Sequence, residues 1–131
     1  MQHYRDLKVW NKAMNLAEII FDQTEAFPKS QLYVLTSQMQ RSALSIPSNI
    51  AEGRGRNSES EFAYFLNVAR GSLCELQTQT DLATRLNFLN ADQSEKINNQ
   101  CDEVLRMLHG LRSNLKLDSK KAVSSELSAV S

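Results

Sequence analysis

The feature that most constrains the fold is a regular spacing of mostly apolar side chains over residues 62–83. Its members lie alternately four and three residues apart: Phe62, Leu66, Ala69, Leu73, Leu76, Thr80 and Ala83. This spacing places them on one face of an α-helix and is typical of helices that pack at a shallow angle against neighbours. A capping-box pattern, Ser58 with Glu61, precedes them. We therefore predict a helix from Ser58 to about Asn87.

Two further segments show the same periodicity. The first helix is predicted from about Asp6 to about Glu25, ending before Pro28, because the residue ahead of a proline is disfavoured in the α region. Its predicted core stripe is Leu7, Trp10, Met14, Ala17, Phe21 and Thr24. The last helix is predicted to open at Asn90 or Asp92, since both offer a capping box. Its stripe is Ile97, Cys101, Val104, Leu108, Leu111 and Leu115.

The second helix is predicted between Ser30, a possible N-cap, and about Gly53. An apolar face runs through it: Leu35, Met39, Ala43, Ile46 and Ile50. Pro47 lies inside this face, and a proline in a helix interior removes a hydrogen bond and crowds the preceding turn. Because the apolar pattern continues past Pro47, we predict one kinked helix instead of two.

Four amphipathic helices joined by short turns favour an all-α fold, an antiparallel up-down-up-down four-helix bundle with a Pro-kinked second helix. The bundle is predicted to occupy residues 1–117. Residues 118–131 are rich in Ser, Lys and Ala, with little to bury, and are predicted to be frayed or disordered.

The composition narrows the class of protein. Fifteen basic and fifteen acidic residues cancel, so the whole chain carries no charge signal for nucleic acid or an acidic membrane. No apolar run reaches the roughly 18 residues of a membrane span. The two cysteines lie far apart and fit a reduced, cytoplasmic setting.

A catalytic or metal role finds little support in the sequence. His3 and His109 are far apart, and neither cysteine has a nearby histidine. No Glu-x-x-His pair of the kind found in di-metal bundles is present. We therefore expect no enzyme activity, no catalytic or metal-binding residues and no cofactor.

A polar face on the second helix is open to two interpretations. Arg41, Ser45, Asn49 and Glu52 recur at helical spacing. They are either a ligand site or a structural seam, in which Ser72 and Glu75 of the third helix satisfy Arg41 and Glu52. A seam is favoured because a buried charge is tolerated only when it is paired.

A basic cluster lies in the same region. Four basic residues, Lys29, Arg41, Arg54 and Arg56, outnumber Glu52 and give residues 28–56 a net charge of +3. Arg54 and Arg56 flank Gly55, where the backbone can approach a phosphate and the planar guanidinium groups suit phosphate oxygens. The alternative is a solvated turn that complements the C-terminal end of the second helix.

Apolar residues outside the predicted stripes suggest association. Val9, Ala13 and Ile20 on the first helix and Tyr64, Phe65 and Val68 on the third are candidate interface residues; Tyr33 and Val34 add to them. Monomers seldom leave such a patch exposed. The pattern predicts a homo-oligomer without fixing its number.

The sequence over about residues 4–117 resembles a known family. The segments YRDLKVW (residues 4–10), RSALSIPSNIAEG (41–53), EF (61–62) and ARGSLCEL (69–76) are similar to the bacterial four-helix-bundle family of 23S ribosomal RNA intervening-sequence proteins. Related accessory proteins of diversity-generating retroelements resemble a barrel of five bundles that binds nucleic acid and a reverse transcriptase. The resemblance implies a cyclic homo-oligomer, a pentamer, and does not imply an enzyme.

Two functions remain open from the sequence. The first is an oligomeric bundle that contacts RNA or DNA through Arg54, Arg56 and nearby basic groups. The second is a structural or adaptor oligomer that binds a protein partner. The lone basic turn in a neutral chain does not decide between them.

Overall fold

The computed structural model describes residues 3–117, which form four long α-helices and no strand. They are α1 (Lys8–Thr24), α2 (Ser37–Arg54), α3 (Glu59–Arg85) and α4 (Ala91–Ser113). Short 3₁₀ turns occupy Tyr4–Asp6 and Lys29–Gln31, and a π-helical stretch, Leu32–Thr36, leads into α2. The all-α prediction is confirmed. The prediction for residues 118–131 lies outside the described residues.

Side-chain caps define where α3 and α4 begin. Ser58 Oγ accepts from the Glu61 N–H at 3.3 Å, as predicted. The Glu61 carboxylate lies 4.0 Å from the Arg56 guanidinium. At α4 the full capping box forms on Asn90: Gln93 N–H donates to Asn90 Oδ1 at 2.8 Å, and Asn90 N–H donates to Gln93 Oε1 at 2.9 Å. Asn90 is therefore the cap of α4.

The start of the second helix differs from the prediction. Regular α-helix begins at Ser37, and Ser30 lies inside the short 3₁₀ turn without acting as a cap. The wider turns of Leu32–Thr36 join that turn to α2. Pro47 lies buried within α2, which continues on both sides of it. One helix instead of two is therefore confirmed, while the kink stays a prediction.

Hydrogen bonds join the ends of different helices, while the antiparallel order stays a prediction. Gln40 at the start of α2 donates to Thr24 at the end of α1 at 3.1 Å. Gln93 at the start of α4 donates to Gln23 near the end of α1. Past the end of α4, the Lys116 N–H donates to the Glu59 carboxylate at the start of α3, at 2.8 Å.

The core confirms three predicted stripes and corrects the fourth. Every residue of the α2 and α3 stripes is buried, as are the first four of α4. On α1, however, Phe21 is 44% exposed, while three predicted interface residues, Val9, Ala13 and Ile20, are buried in the core. The prediction that these three line an oligomer interface is therefore wrong. The face of α1 that packs inward is rotated from the predicted stripe.

Candidate nucleic-acid interface and polar seam

A polar seam connects the middle of α2 to α3. The hydroxyl oxygens of Ser45 and Ser72 lie 2.8 Å apart, and Ser72 is buried. The Asn49 amide donates to the Ser45 carbonyl at 2.8 Å and to the Ser45 hydroxyl at 2.9 Å. These three side chains satisfy one another inside an otherwise apolar interface, which is the usual condition for a buried polar group.

The charged residues predicted for this seam do not join it. Arg41 and Glu75 are exposed. Glu52 accepts from Arg56 at 2.7 Å, one turn further along the chain. The prediction that Ser72 and Glu75 satisfy Arg41 and Glu52 is therefore wrong. The charges remain in solvent, where each keeps its hydration, and only neutral groups enter the interface.

The turn between α2 and α3 holds its two arginines against aromatic rings. The Arg54 guanidinium carbon lies 5.4 Å from the centre of the Phe62 ring, and that of Arg56 lies 5.2 Å from the centre of the Phe65 ring. Such cation–π contacts restrict the positions that the two guanidinium groups can take. The turn therefore presents two positioned cations.

Carboxylates reduce the positive charge of this turn. Arg56 contacts Glu52 at 2.7 Å and Glu61 at 4.0 Å, and all three side chains are about half exposed. Exposed pairs of this kind are weak and easily exchanged for another anion. The turn can still contact a phosphate, but its positive electrostatic potential is weaker than the sequence suggests.

The other two predicted basic residues lie elsewhere. Lys29 is in the connection before α2, and Arg41 is in the first half of α2. Arg54 is the last residue of α2. At about 1.5 Å per residue, roughly 20 Å of helix separates Arg41 from Arg54. The four cations therefore do not form one cluster.

A different basic group forms where α3 and α4 meet, and the sequence analysis missed it. Arg70 and Cys74 of α3 line a groove with Leu105, Arg106, His109 and Gly110 of α4. The groove has a volume of about 650 Å³, compared with about 300 Å³ for the cavity beside Arg56. Arg70 and Arg106 stand 36 positions apart in the sequence, so only the pairing of the helices brings them together.

Of the remaining interface candidates, those on α3 are accessible to different degrees. Tyr64 is 39% exposed, while Phe65 and Val68 are half-buried. The two most exposed large apolar side chains lie on the π-helical stretch: Tyr33 is 88% exposed and Val34 60%, and Leu32 beside them is 50% exposed. Three consecutive exposed apolar residues thus lie on this stretch, while others are exposed on the helices or at their ends: Phe21, Leu44, Leu82 and Leu86.

Comparison with known protein families shows which family the chain belongs to. The family model described as 23S rRNA-intervening sequence protein matches residues 5–110, which include α1, α2, α3 and most of α4. The chain belongs to this family. The match confirms the resemblance seen in the sequence and covers the seam, the basic turn and the groove.

A solved structure shares the fold of this chain. The crystal structure of a protein with unknown function from the S23 ribosomal protein family, from Bacteroides thetaiotaomicron VPI-5482, is similar to the chain with a TM-score of 0.72 and 26% identity. The similarity covers 79% of this chain and 97% of that one. No curated protein matches.

In residues 3–117 the structure shows no group of metal ligands, and its buried cysteine is not activated. Among residues 3–117 no group of three or more His, Cys, Asp or Glu side chains is placed to hold a metal ion. Burial raises the pKa of the Cys101 thiol to about 12, with nearby Asp102 adding to the shift, so this thiol stays protonated at neutral pH. Cys74 is exposed. No helix of residues 3–117 has the length and apolar character needed to cross a membrane.

Proposed function

We propose that this protein is a non-catalytic, homo-oligomeric bundle of the cytoplasm that binds nucleic acid. The observation that carries the proposal is the pair of positioned arginines, Arg54 and Arg56, held on Phe62 and Phe65 at the α2–α3 turn. A guanidinium offers a planar fork of donors to phosphate, and holding it on a ring lowers the entropy lost on binding.

Assembly strengthens a modest contact of this kind. Each subunit of a ring presents one such turn, so five subunits present ten arginines to one polyanion. Linked weak contacts raise the overall affinity far above that of one turn. The family description points to RNA as the first ligand to test, with DNA as the second. The sequence resemblance adds a reverse transcriptase as a possible protein partner.

Nucleic-acid affinity should depend on the salt concentration and on the two arginines of the α2–α3 turn. In filter binding against a structured RNA and a matched DNA duplex, we expect affinity to fall with salt, with a log–log slope of about −0.7 to −0.9 per phosphate contacted. Arg54→Ala/Arg56→Ala should weaken binding and make the slope shallower. Lys8→Ala/Lys96→Ala, which removes two exposed cations outside the predicted basic cluster, is the control and should change binding less. An affinity that changes neither with salt concentration nor in the Arg54→Ala/Arg56→Ala variant would contradict the proposal.

The oligomer is proposed from exposed apolar surface. Leu32, Tyr33 and Val34 stand out in solvent on three consecutive positions, next to a buried Leu35. Apolar residues grouped in this way are typical of association sites. The resemblance implies five subunits, which contacts between unlike faces around one axis would close into a ring.

Light scattering coupled to gel filtration measures the assembly directly. Five chains of 14.8 kDa would give about 74 kDa, and a mass near 15 kDa at micromolar concentration would refute association. Tyr33→Glu should shift the population toward smaller species with unchanged helix content, because Tyr33 is 88% exposed and contributes little to the core. Ser30→Glu, at an exposed position on the preceding turn, makes the same change of charge and should have a smaller effect.

The same apolar stretch supports a second candidate function. Leu32, Tyr33 and Val34 would equally suit an adaptor that binds a protein partner through a hydrophobic contact. A protein that forms the oligomer but fails to bind nucleic acid at low salt would favour the adaptor.

A further inference from the structure

We propose that the α3–α4 groove binds an unpaired nucleotide of single-stranded nucleic acid, with its phosphates held by Arg70 and Arg106. This inference rests on the proposed function and names a second contact site, separate from the α2–α3 turn. The groove lies between Arg70 and Cys74 on one helix and Arg106, His109 and Gly110 on the other.

Charge complementarity identifies an anion as the ligand. Among the described residues, neither Arg70 nor Arg106 forms a salt bridge. The two acidic residues closest to Arg106 in sequence are engaged elsewhere. Asp102 accepts from Gln77 at 3.1 Å, and Glu103 pairs with Lys12 at 3.2 Å. The groove therefore keeps two cations available, whereas Arg56 at the turn already contacts two carboxylates.

The floor of the groove suits a base. Leu105, Cys74 and Gly110 contribute apolar surface to the same lining as the two arginines. Guanidinium and imidazole planes, here those of Arg70, Arg106 and His109, stack on unpaired bases. A duplex keeps its bases inside the stack and would meet such a groove only through its backbone. A concave, partly apolar groove with cations on both sides thus favours a single strand.

Gly110 gives independent support for an open groove. Glycine inside a helix is less stable than alanine, so it usually serves close packing. Apart from its chain neighbours and the adjacent backbone of α4, no atom of residues 3–117 lies within 4 Å of the position that a Cβ would take at Gly110. Packing among these residues does not require a glycine here, but a side chain at this position would narrow the groove.

Fluorescence anisotropy with labelled 15-mers tests the site, using oligouridylate, oligothymidylate and a blunt 15-bp duplex. Arg70→Gln/Arg106→Gln should weaken binding of the single strands at least tenfold and make the log–log salt slope shallower by about 1.4, or about 0.7 for each of two phosphates. Arg85→Gln/Lys96→Gln removes two exposed cations outside the groove and should change binding less than threefold. Gly110→Gln fills the groove without changing charge and should weaken binding at least fivefold with an unchanged slope. The two single strands report whether RNA or DNA is preferred.

The reactivity of Cys74, which lines the groove, reports whether the single strand binds there. A saturating single strand should slow alkylation of this exposed thiol by N-ethylmaleimide at least tenfold, while the buried Cys101 stays unreactive. Binding that is equal in the groove and control variants, unprotected Cys74, or a duplex bound as tightly as a single strand would each overturn the inference. Wild-type protein that binds none of the three probes at low salt would instead remove the proposed function itself.

Discussion

Gly53→Ala should destabilise the protein by about 2–3 kcal/mol, the cost expected of overpacking a close helix contact. Gly53 is buried in the last turn of α2, and a Cβ there would lie 2.6 Å from Phe65 Cβ and 3.0 Å from Phe62 Cδ1. The position of Phe65 Cβ is fixed by its backbone, so no change of rotamer relieves the overlap. The helices must separate, which also displaces the two rings beneath Arg54 and Arg56.

The sign of this change is the informative part, because glycine to alanine within a helix ordinarily stabilises by about 0.5–1 kcal/mol. Gly71→Ala is the matched control: Gly71 is exposed inside α3, and in the described part of the chain no atom beyond its chain neighbours and the adjacent α3 backbone lies within 4 Å of its Cβ position. Urea unfolding at one protein concentration should show Gly71→Ala as neutral or stabilising and Gly53→Ala as clearly destabilising. If both substitutions stabilise, α2 and α3 are further apart than the structure shows.

The sequence predicted correctly those helix features that depend on residues close together in the chain. The caps at Ser58 and Asn90 and the alternating spacing of α3 involve residues within one or two turns of each other. Helical periodicity specifies one face when the opposite face is polar, as on α2. The π-helical turns at Leu32–Thr36 carry no comparable pattern, so the α2 start was placed too early.

The candidate site was predictable only in part. Arg54 and Arg56 flank a glycine, which is visible in the sequence. The sequence predicts Phe62 in the core stripe of α3 and Phe65 in an oligomer interface, and neither prediction indicates a contact with an arginine. Ser45 and Asn49 were predicted in the seam, but the roles of Arg41 and Glu52 depend on side-chain competition that spacing does not encode. The Arg70–Arg106 groove requires the register between two helices, which no local signal supplies.

The sequence of α1 explains why its buried face was not predicted correctly. Its apolar residues follow two interleaved patterns, and both have helical spacing. One pattern is the predicted stripe, which includes Phe21, and the other consists of Val9, Ala13, Leu16 and Ile20. Consecutive helical residues are about 100° apart, so Ile20 and Phe21 cannot both face the same neighbours. The choice between the patterns is made by packing against α2 and α4.

Ile20→Ala should therefore cost about 2–5 kcal/mol of unfolding free energy, whereas Phe21→Ala should cost less than about 1 kcal/mol. Ile20 is 0% exposed, so removing its side chain beyond Cβ leaves a cavity between helices; Phe21 is 44% exposed and leaves space that water fills. Urea unfolding of the two variants at two protein concentrations measures both costs. A Phe21 effect that grows with concentration would place Phe21 in an interface between subunits. A larger loss for Phe21→Ala than for Ile20→Ala at both concentrations would contradict the rotation of α1 and restore the stripe predicted from sequence.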